Sequence, residues 1–85
     1  MIDSTLLADV VAIVRRSGRV RPEVEVAPDS HLVDDLAIDS LDLVDVVLKI
    51  QDHFDIVIDD EDAPNLRRVS DLATYVATHR GKAVA

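Results

Sequence analysis

Hydrophobic side chains recur at helical spacing in three stretches of the chain. In residues 4–16 an apolar residue returns every three or four positions: Leu6, Leu7, Val10, Val11, Ile13 and Val14. The same spacing predicts a second helix over residues 39–54 and a last helix over residues 70–80. A short, irregular helix is expected at 61–66, where Pro64 opposes a longer one. The pattern therefore predicts an all-α fold, a small four-helix bundle.

The stretch 39–54 carries the strongest of these patterns. Asp39 can cap its first turn. Its inward stripe consists of five apolar residues: Leu43, Val46, Val47, Ile50 and Phe54. Leu41, Val44 and Leu48 form a shoulder beside this stripe, which widens the apolar arc to about 200°, more than one buried face needs. In a domain this small we expect the shoulder to be exposed for a partner.

A long connection separates the first two predicted helices. Residues 19–38 contain Pro22 and Pro28, which oppose pairing in a sheet. We expect an ordered loop with a helical turn at 30–36, held by four apolar side chains: Val24, Leu32, Leu36 and Ile38. A loop of about 20 residues is unusual in a compact domain and is commonly functional.

Composition narrows the possible functions. The chain has 85 residues, 48% of them apolar, which is enough for one small core that needs no disulfide or structural metal. It has no cysteine, which excludes disulfides, thiolate metal sites and a cysteine nucleophile. A net charge of −8 argues against nucleic acid and anionic membranes as partners. Asp3 and Asp9 stand where a signal peptide carries bases, so we expect a cytoplasmic protein without membrane insertion.

The negative charge is concentrated in the middle of the chain. Residues 29–62 hold twelve acids and the single base Lys49, a net charge of −11. This acidic segment favours basic protein surfaces as partners. A dedicated calcium loop is not favoured, because Asp55 to Asp62 lack the central glycine and place apolar residues at ligand positions. We expect no metal site, only loose association of divalent ions.

Common catalytic patterns are absent from the sequence. Gly18 and Gly81 are the only glycines, so there is no glycine-rich phosphate loop and no glycine-flanked serine nucleophile. The three histidines, His31, His53 and His79, lack metal-ligand spacing. What remains as a candidate functional residue is Ser40, at the first turn of the second predicted helix.

The start of the second predicted helix carries a specific motif. Residues 34–42 read Asp-Asp-Leu-Ala-Ile-Asp-Ser-Leu-Asp. They resemble the attachment site of acyl carrier proteins, whose signature is Gly-x-Asp-Ser-Leu. The resemblance covers most of the chain, including the helix order and the long loop. It implies that Ser40, flanked by Asp39 and Leu41, carries 4′-phosphopantetheine from coenzyme A, whose thiol holds acyl groups as thioesters.

The resemblance also implies partners. A carrier is not an enzyme; it is the substrate of a phosphopantetheinyl transferase and of acyl-loading and acyl-processing enzymes with basic docking patches. Fatty-acid, specialised-lipid and polyketide biosynthesis are the implied pathways, and a monomer is expected. Five residues of the second helix, here called the recognition set, match the family's docking surface: Leu41, Asp42, Asp45, Leu48 and Asp52. The acyl chain would lie between helices, beside four apolar residues: Val11, Val47, Ile58 and Val76.

Residues 1–85 are expected to form a single carrier domain with a flexible tail at 81–85. An acidic helical adaptor without a cofactor is the alternative, although it has no need of a serine at position 40. A D-alanyl carrier also stays open, whereas peptidyl carriers usually lack the aspartate directly before the serine.

The sequence departs from the family pattern at several positions. Ala37 replaces the usual glycine, which predicts a stiffer loop before the serine. Lys49, Gln51 and His53 dilute the acids of the second helix, and Pro64 disturbs the third. These departures favour a specialised carrier over the housekeeping one.

Overall fold

The computed structural model describes residues 4–82, with side chains described through residue 79. The described residues form three α-helices and contain no strand, apart from one isolated bridge between His31 and Arg68. The predicted all-α class is confirmed. In chain order the helices are α1 (Ser4–Ser17), α2 (Ser40–Phe54), a 3-10 helix (Ala63–Asn65) and α3 (Val69–Lys82).

The predicted helix at 61–66 is only a single 3-10 turn, Ala63–Asn65. Pro64 lies near the start of this turn, where its ring and missing amide hydrogen prevent an α-helix from running through it from the residues before. The backbone closes the turn with short-range bonds, such as that from the Leu66 amide to the Ala63 carbonyl at 3.1 Å. The described chain therefore has three α-helices, and the prediction of four is corrected here.

Helix α2 starts and ends as its sequence dictates. Asp39 has an extended backbone (φ −67°, ψ 154°), and its carboxylate accepts a hydrogen bond from the Leu41 amide at 3.2 Å. The predicted cap is thus confirmed. Asp55 ends the helix in the left-handed region, and its amide donates to the Gln51 carbonyl. Aspartate tolerates this conformation better than most residues.

Helix α3 begins one residue before the cap predicted at Ser70. The amides of Val69 and Ser70 donate to the carbonyls of Ser30 and Pro28 in the long loop, at 3.1 and 2.7 Å. Backbone carbonyls of a distant segment thus accept these two amides, while Oδ2 of Asp71 accepts from the amides of Arg67 and Arg68 just before the helix, at 3.1 and 3.0 Å. The helix runs to Lys82, and residues 83–85 of the tail predicted at 81–85 lie outside the described residues.

One core joins the three helices and the long loop. The largest fully buried side chains come from all three helices: Val10, Val14, Val46, Ile50, Val69, Leu72 and Val76. The loop adds Leu32, Leu36 and Ile38, each at most 5% exposed. Full burial of such a side chain contributes about 1.5–3 kcal/mol to stability. The loop is therefore ordered by its own apolar residues, as predicted, and its end holds Ser40 in a fixed place.

Candidate functional site

Ser40 lies where the long loop meets α2. It is the first residue of the helix, its side chain is exposed, and its hydroxyl makes no hydrogen bond to the part of the chain that the structure describes. Asp39 caps the turn through its own carboxylate, so the serine has no structural duty there. The N-terminal end of α2 also favours a negative group, because its first amides and its dipole face outward. An anionic phosphodiester on this hydroxyl fits the site.

The backbone before Ser40 is constrained. Ala37 adopts a positive φ of 54°, in the left-handed region that residues with a β-carbon disfavour. Its amide donates to the Val33 carbonyl at 3.0 Å, and the next amide, of Ile38, donates to Leu32 at 3.1 Å. A residue that replaces the family's usual glycine thus occupies a conformation suited to glycine.

Charges of both signs surround the start of α2. The carboxylates of Asp39 and Asp42 lie in the cap and first turn, where they oppose a further anion. Arg19, at the end of α1, contacts Asp42, with 3.5 Å between Nε and Oδ1. The first turn of α2 is therefore less negative than its sequence suggests, because the loop brings in a cation from outside the acidic segment.

The recognition set lies mostly at the surface. Leu41 is 78% exposed and Leu48 is 54% exposed, and Val44 beside them is 57% exposed. The predicted exposure of this shoulder is confirmed. Asp45 and Asp52 are also exposed, whereas Asp42 is half-buried at the edge that faces α1. The helix thus presents an apolar strip with acids beside it.

An apolar cavity of about 520 Å³ opens beside this strip. Its size falls within the range of about 300–1,000 Å³ that is usual for ligand sites. Val44 and Leu48 line it from α2, and Leu72 lines it from α3. Because Val44 and Leu48 are also exposed, the cavity reaches the surface next to the strip. Gln51 and Asp60 contribute its polar groups.

Two of the four residues predicted to lie beside an acyl chain line this cavity. Val47 and Ile58 line the cavity, but Val11 and Val76 do not. Val76 is fully buried in the core, and Val11 packs on the core from α1, away from the cavity between α2 and the segment before α3. Pro64 lines it too, so this residue of the 3-10 helix also shapes the cavity wall.

Tyr75 of α3 makes hydrogen bonds to residues 59–62, and Asp60 of this stretch lines the cavity. Its hydroxyl donates to Oδ2 of Asp62 at 3.0 Å and accepts from the Asp59 amide at 3.3 Å. Burial raises the pKa of Tyr75 above its usual value; the Asp59 amide opposes this change, whereas the Asp62 carboxylate adds to it. The ring also stacks on His79, with 3.8 Å between centroids.

Three features of the site were missed by sequence reasoning. The contact of Arg19 with Asp42, the role of His31 and the exposure of Val57 depend on which segments meet in three dimensions. Nδ1 of His31 accepts from the amides of Val33 and Asp34, at 3.2 and 3.0 Å, and so caps the turn before Ser40. A polar residue at the start of the predicted turn at 30–36 was the available signal for this cap.

Two alternative kinds of site were also compared with the structure. Among the described residues, no group of three or more histidine, aspartate or glutamate side chains converges as metal ligands would. In the same part of the chain, no helix combines the length and the apolar character needed to cross a bilayer.

Comparison with known proteins gives one consistent family. Residues 5–76 match the model of the phosphopantetheine attachment site family. An acyl carrier protein from Syntrophobacter fumaroxidans is 38% identical over 71 residues, which cover 84% of this chain and 86% of that protein. The solution structure of a proposed acyl carrier protein from Anaplasma phagocytophilum superposes with a TM-score of 0.83, at 30% identity, over 92% of this chain and 91% of that one.

The family match and the site agree on the nature of the bound group. The matched region includes the exposed serine at the start of α2, the loop before it and the cavity beside it. Members of this family carry 4′-phosphopantetheine as a covalent cofactor. The chain belongs to the phosphopantetheine attachment site family and, within it, to the acyl carrier proteins.

Proposed function

We propose that Ser40 is the residue that carries 4′-phosphopantetheine. The observation that supports this most directly is an exposed hydroxyl, without hydrogen bonds in the described chain, at the first residue of α2. When bound, the cofactor supplies a thiol that holds acyl groups as thioesters. The chain contains no cysteine that could compete for the acyl group.

The surrounding residues have distinct duties in this proposal. Asp39 keeps the first turn of α2 in place through its bond to the Leu41 amide, which leaves the serine free for modification. The fixed backbone at Ala37 and Ile38 limits the motion of the attachment point. The apolar cavity beside α2 accepts the hydrocarbon part of the cargo and removes it from water.

We further propose that the recognition set is the docking surface for partner enzymes. These are a phosphopantetheinyl transferase and acyl-loading and acyl-processing enzymes with basic patches. Exposed acids beside an apolar strip suit brief encounters, because screened charges act on association more than on final affinity. We place this single-domain carrier, as a cytoplasmic monomer, in fatty-acid, specialised-lipid or polyketide biosynthesis.

Intact mass spectrometry tests the attachment residue. The purified chain is incubated with coenzyme A, magnesium and a broad-specificity phosphopantetheinyl transferase. We expect the mass of one phosphopantetheine to be added, and Ser40→Ala to abolish the gain without unfolding the domain. Ser4→Ala is the matched control, because Ser4 is an exposed serine at the first residue of α1. A second adduct, or modification that persists in Ser40→Ala, contradicts the proposal.

Loading kinetics test the docking surface. Asp45→Lys is expected to slow loading more than a charge change elsewhere, because each exposed contact is worth about 0.2–1 kcal/mol. Asp9 is a poor control because it lies 3.8 Å from Nε2 of His53. Glu25→Lys makes the same charge change in the exposed loop. Equal effects of Asp45→Lys and Glu25→Lys at low salt would refute a docking role for α2.

A further inference from the structure

Arg19 is a cation that the chain places against its own docking helix. Its Nε lies 3.5 Å from Oδ1 of Asp42, in the first turn of α2 and two residues after Ser40. Asp45 and Asp52, the other acids of the recognition set, make no ion pair within the described residues. One acid of the set is therefore already neutralised, while the other two are open to a partner.

The backbone that presents Arg19 is fixed. The amides of Gly18, Arg19 and Val20 each donate to a carbonyl in the last turns of α1, at 2.9, 3.3 and 3.1 Å. A β-carbon at position 18 would lie 2.5 Å from the Val14 carbonyl oxygen, so only glycine fits this close approach. Arg19 itself has a positive φ of 55°. The backbone just after α1 is thus ordered and keeps Arg19 within reach of Asp42.

The pair can open at modest cost. The side chain of Arg19 is 82% exposed, whereas that of Asp42 is 29% exposed. An exposed pair of this kind shifts an equilibrium by about two- to fivefold. A partner arginine that approaches Asp42 must first displace Arg19 and also meets its positive charge. A partner whose basic residues fall on Asp45 and Asp52 avoids both penalties.

We infer that Arg19 is a specificity-determining residue that masks Asp42 from basic docking patches. It favours partner enzymes whose basic residues contact Asp45 and Asp52, further along α2, over partner enzymes whose basic residues contact Asp42. This inference rests on the proposed docking role of α2. It adds that the docking surface depends on Arg19, just after α1, as well as on the residues of α2.

A double-mutant cycle in the loading reaction tests the mask. The probe is a phosphopantetheinyl transferase with a basic docking patch, and kcat/KM is measured at low and moderate salt. Arg19→Gln is expected to raise kcat/KM about two- to fivefold at low salt, because Asp42 becomes available. Arg21→Gln is the matched control; it removes the same charge two residues away, from an exposed side chain without an ion pair in the described chain.

The second arm of the cycle is Asp42→Asn. With Arg19 present, this change should alter kcat/KM less than twofold, because the carboxylate is already paired. In the Arg19→Gln chain it should remove the whole gain. The inference is overturned if Arg19→Gln raises kcat/KM no more than Arg21→Gln does. It is also overturned if Asp42→Asn lowers kcat/KM as much in the native chain as in the Arg19→Gln chain. Melting curves of each variant exclude a fold defect as the cause.

Failure of the inference and of the proposed function give different results. If Arg19 has no special role, the native chain is still loaded at Ser40 and Asp45→Lys still slows loading. If the native chain is not loaded, or if Asp45→Lys and Glu25→Lys behave alike, the proposed function fails and the inference falls with it.

Discussion

At the scale of single residues, the backbone of Ala37 is strained, three positions before Ser40. The left-handed conformation costs a residue with a β-carbon about 1–2 kcal/mol relative to glycine. We expect Ala37→Gly to raise the free energy of unfolding by about 1 kcal/mol, since the looser unfolded chain offsets part of the relief. Urea unfolding measures this change.

A matched control separates strain relief from the general effect of glycine. Ala8 is exposed in the interior of α1, where glycine should lower the free energy of unfolding by about 0.5–1 kcal/mol. If Ala37→Gly is as destabilising as Ala8→Gly, position 37 is not strained.

His31 is the second residue whose duty is local. Its Nδ1 accepts from the Val33 and Asp34 amides, and Oδ2 of Asp35 accepts from the His31 amide at 2.7 Å. Loss of such a cap costs about 0.5–2 kcal/mol. We expect His31→Ala to lower the free energy of unfolding by this amount and His31→Asn, which can still cap, to lower it less. Equal losses in urea unfolding would mean that the imidazole does not act as a cap.

Tyr75 joins two parts of the fold, because its hydroxyl makes hydrogen bonds from α3 to residues 59–62, just before the 3-10 helix. Burial raises the pKa of Tyr75, so the folded state holds the phenol proton more tightly than the unfolded chain does. This contribution to stability is fully present below the unfolded pKa near 10 and is lost as pH rises through the higher folded pKa.

The melting temperature at alkaline pH measures this linkage. As pH rises above about 10, the native chain should lose more stability than Tyr75→Phe, which has no phenol to ionise. Both chains share the titration of the lysines, so their difference isolates Tyr75. Parallel curves for the two chains would show that folding does not raise the pKa of Tyr75.

The elements differ in how far their sequences determine them. Helix α2 could be predicted nearly to the residue, because its apolar spacing and the Asp39 cap are both local signals. The start of α3 could not, since its first amides bond to carbonyls of Pro28 and Ser30. The motif singled out Ser40 as the proposed attachment residue, whereas the Arg19 contact depends on how α1 ends relative to α2. Local chemistry is readable in the sequence; contacts between distant segments are not.

At the scale of the whole molecule, the acidic segment 29–62 is poorly compensated. Within the described residues, Arg19–Asp42 is the only ion pair that joins an acid of this segment to a base that is always charged; the other two pairs involve His31 and His53. Twelve acids against one base repel one another more in the compact state than in the unfolded chain. Stability should therefore depend on the cations in solution.

Thermal melts across NaCl and MgCl₂ series measure this dependence. Salt shortens the screening length to about 10 Å at 0.1 M, so NaCl should raise the melting temperature of the chain without cofactor. Magnesium should act at lower concentration, because hard cations associate with carboxylate oxygens without a formed cage. A melting temperature that is flat or falls in both series would show that the acids are compensated locally.

The bonds between the long loop and the start of α3 have a consequence for folding. The Leu32 amide donates to the Arg67 carbonyl at 2.8 Å. The Arg68 guanidinium donates to the Asp29 carbonyl, 39 positions away in the sequence. Helices α1 and α2 can form from local contacts, but such long-range bonds close late. On a ribosome, residues 28–32 of the long loop would therefore stay unordered until α3 had emerged. In hydrogen exchange, the Leu32 and Val69 amides should become protected together, after those in the middle of α2.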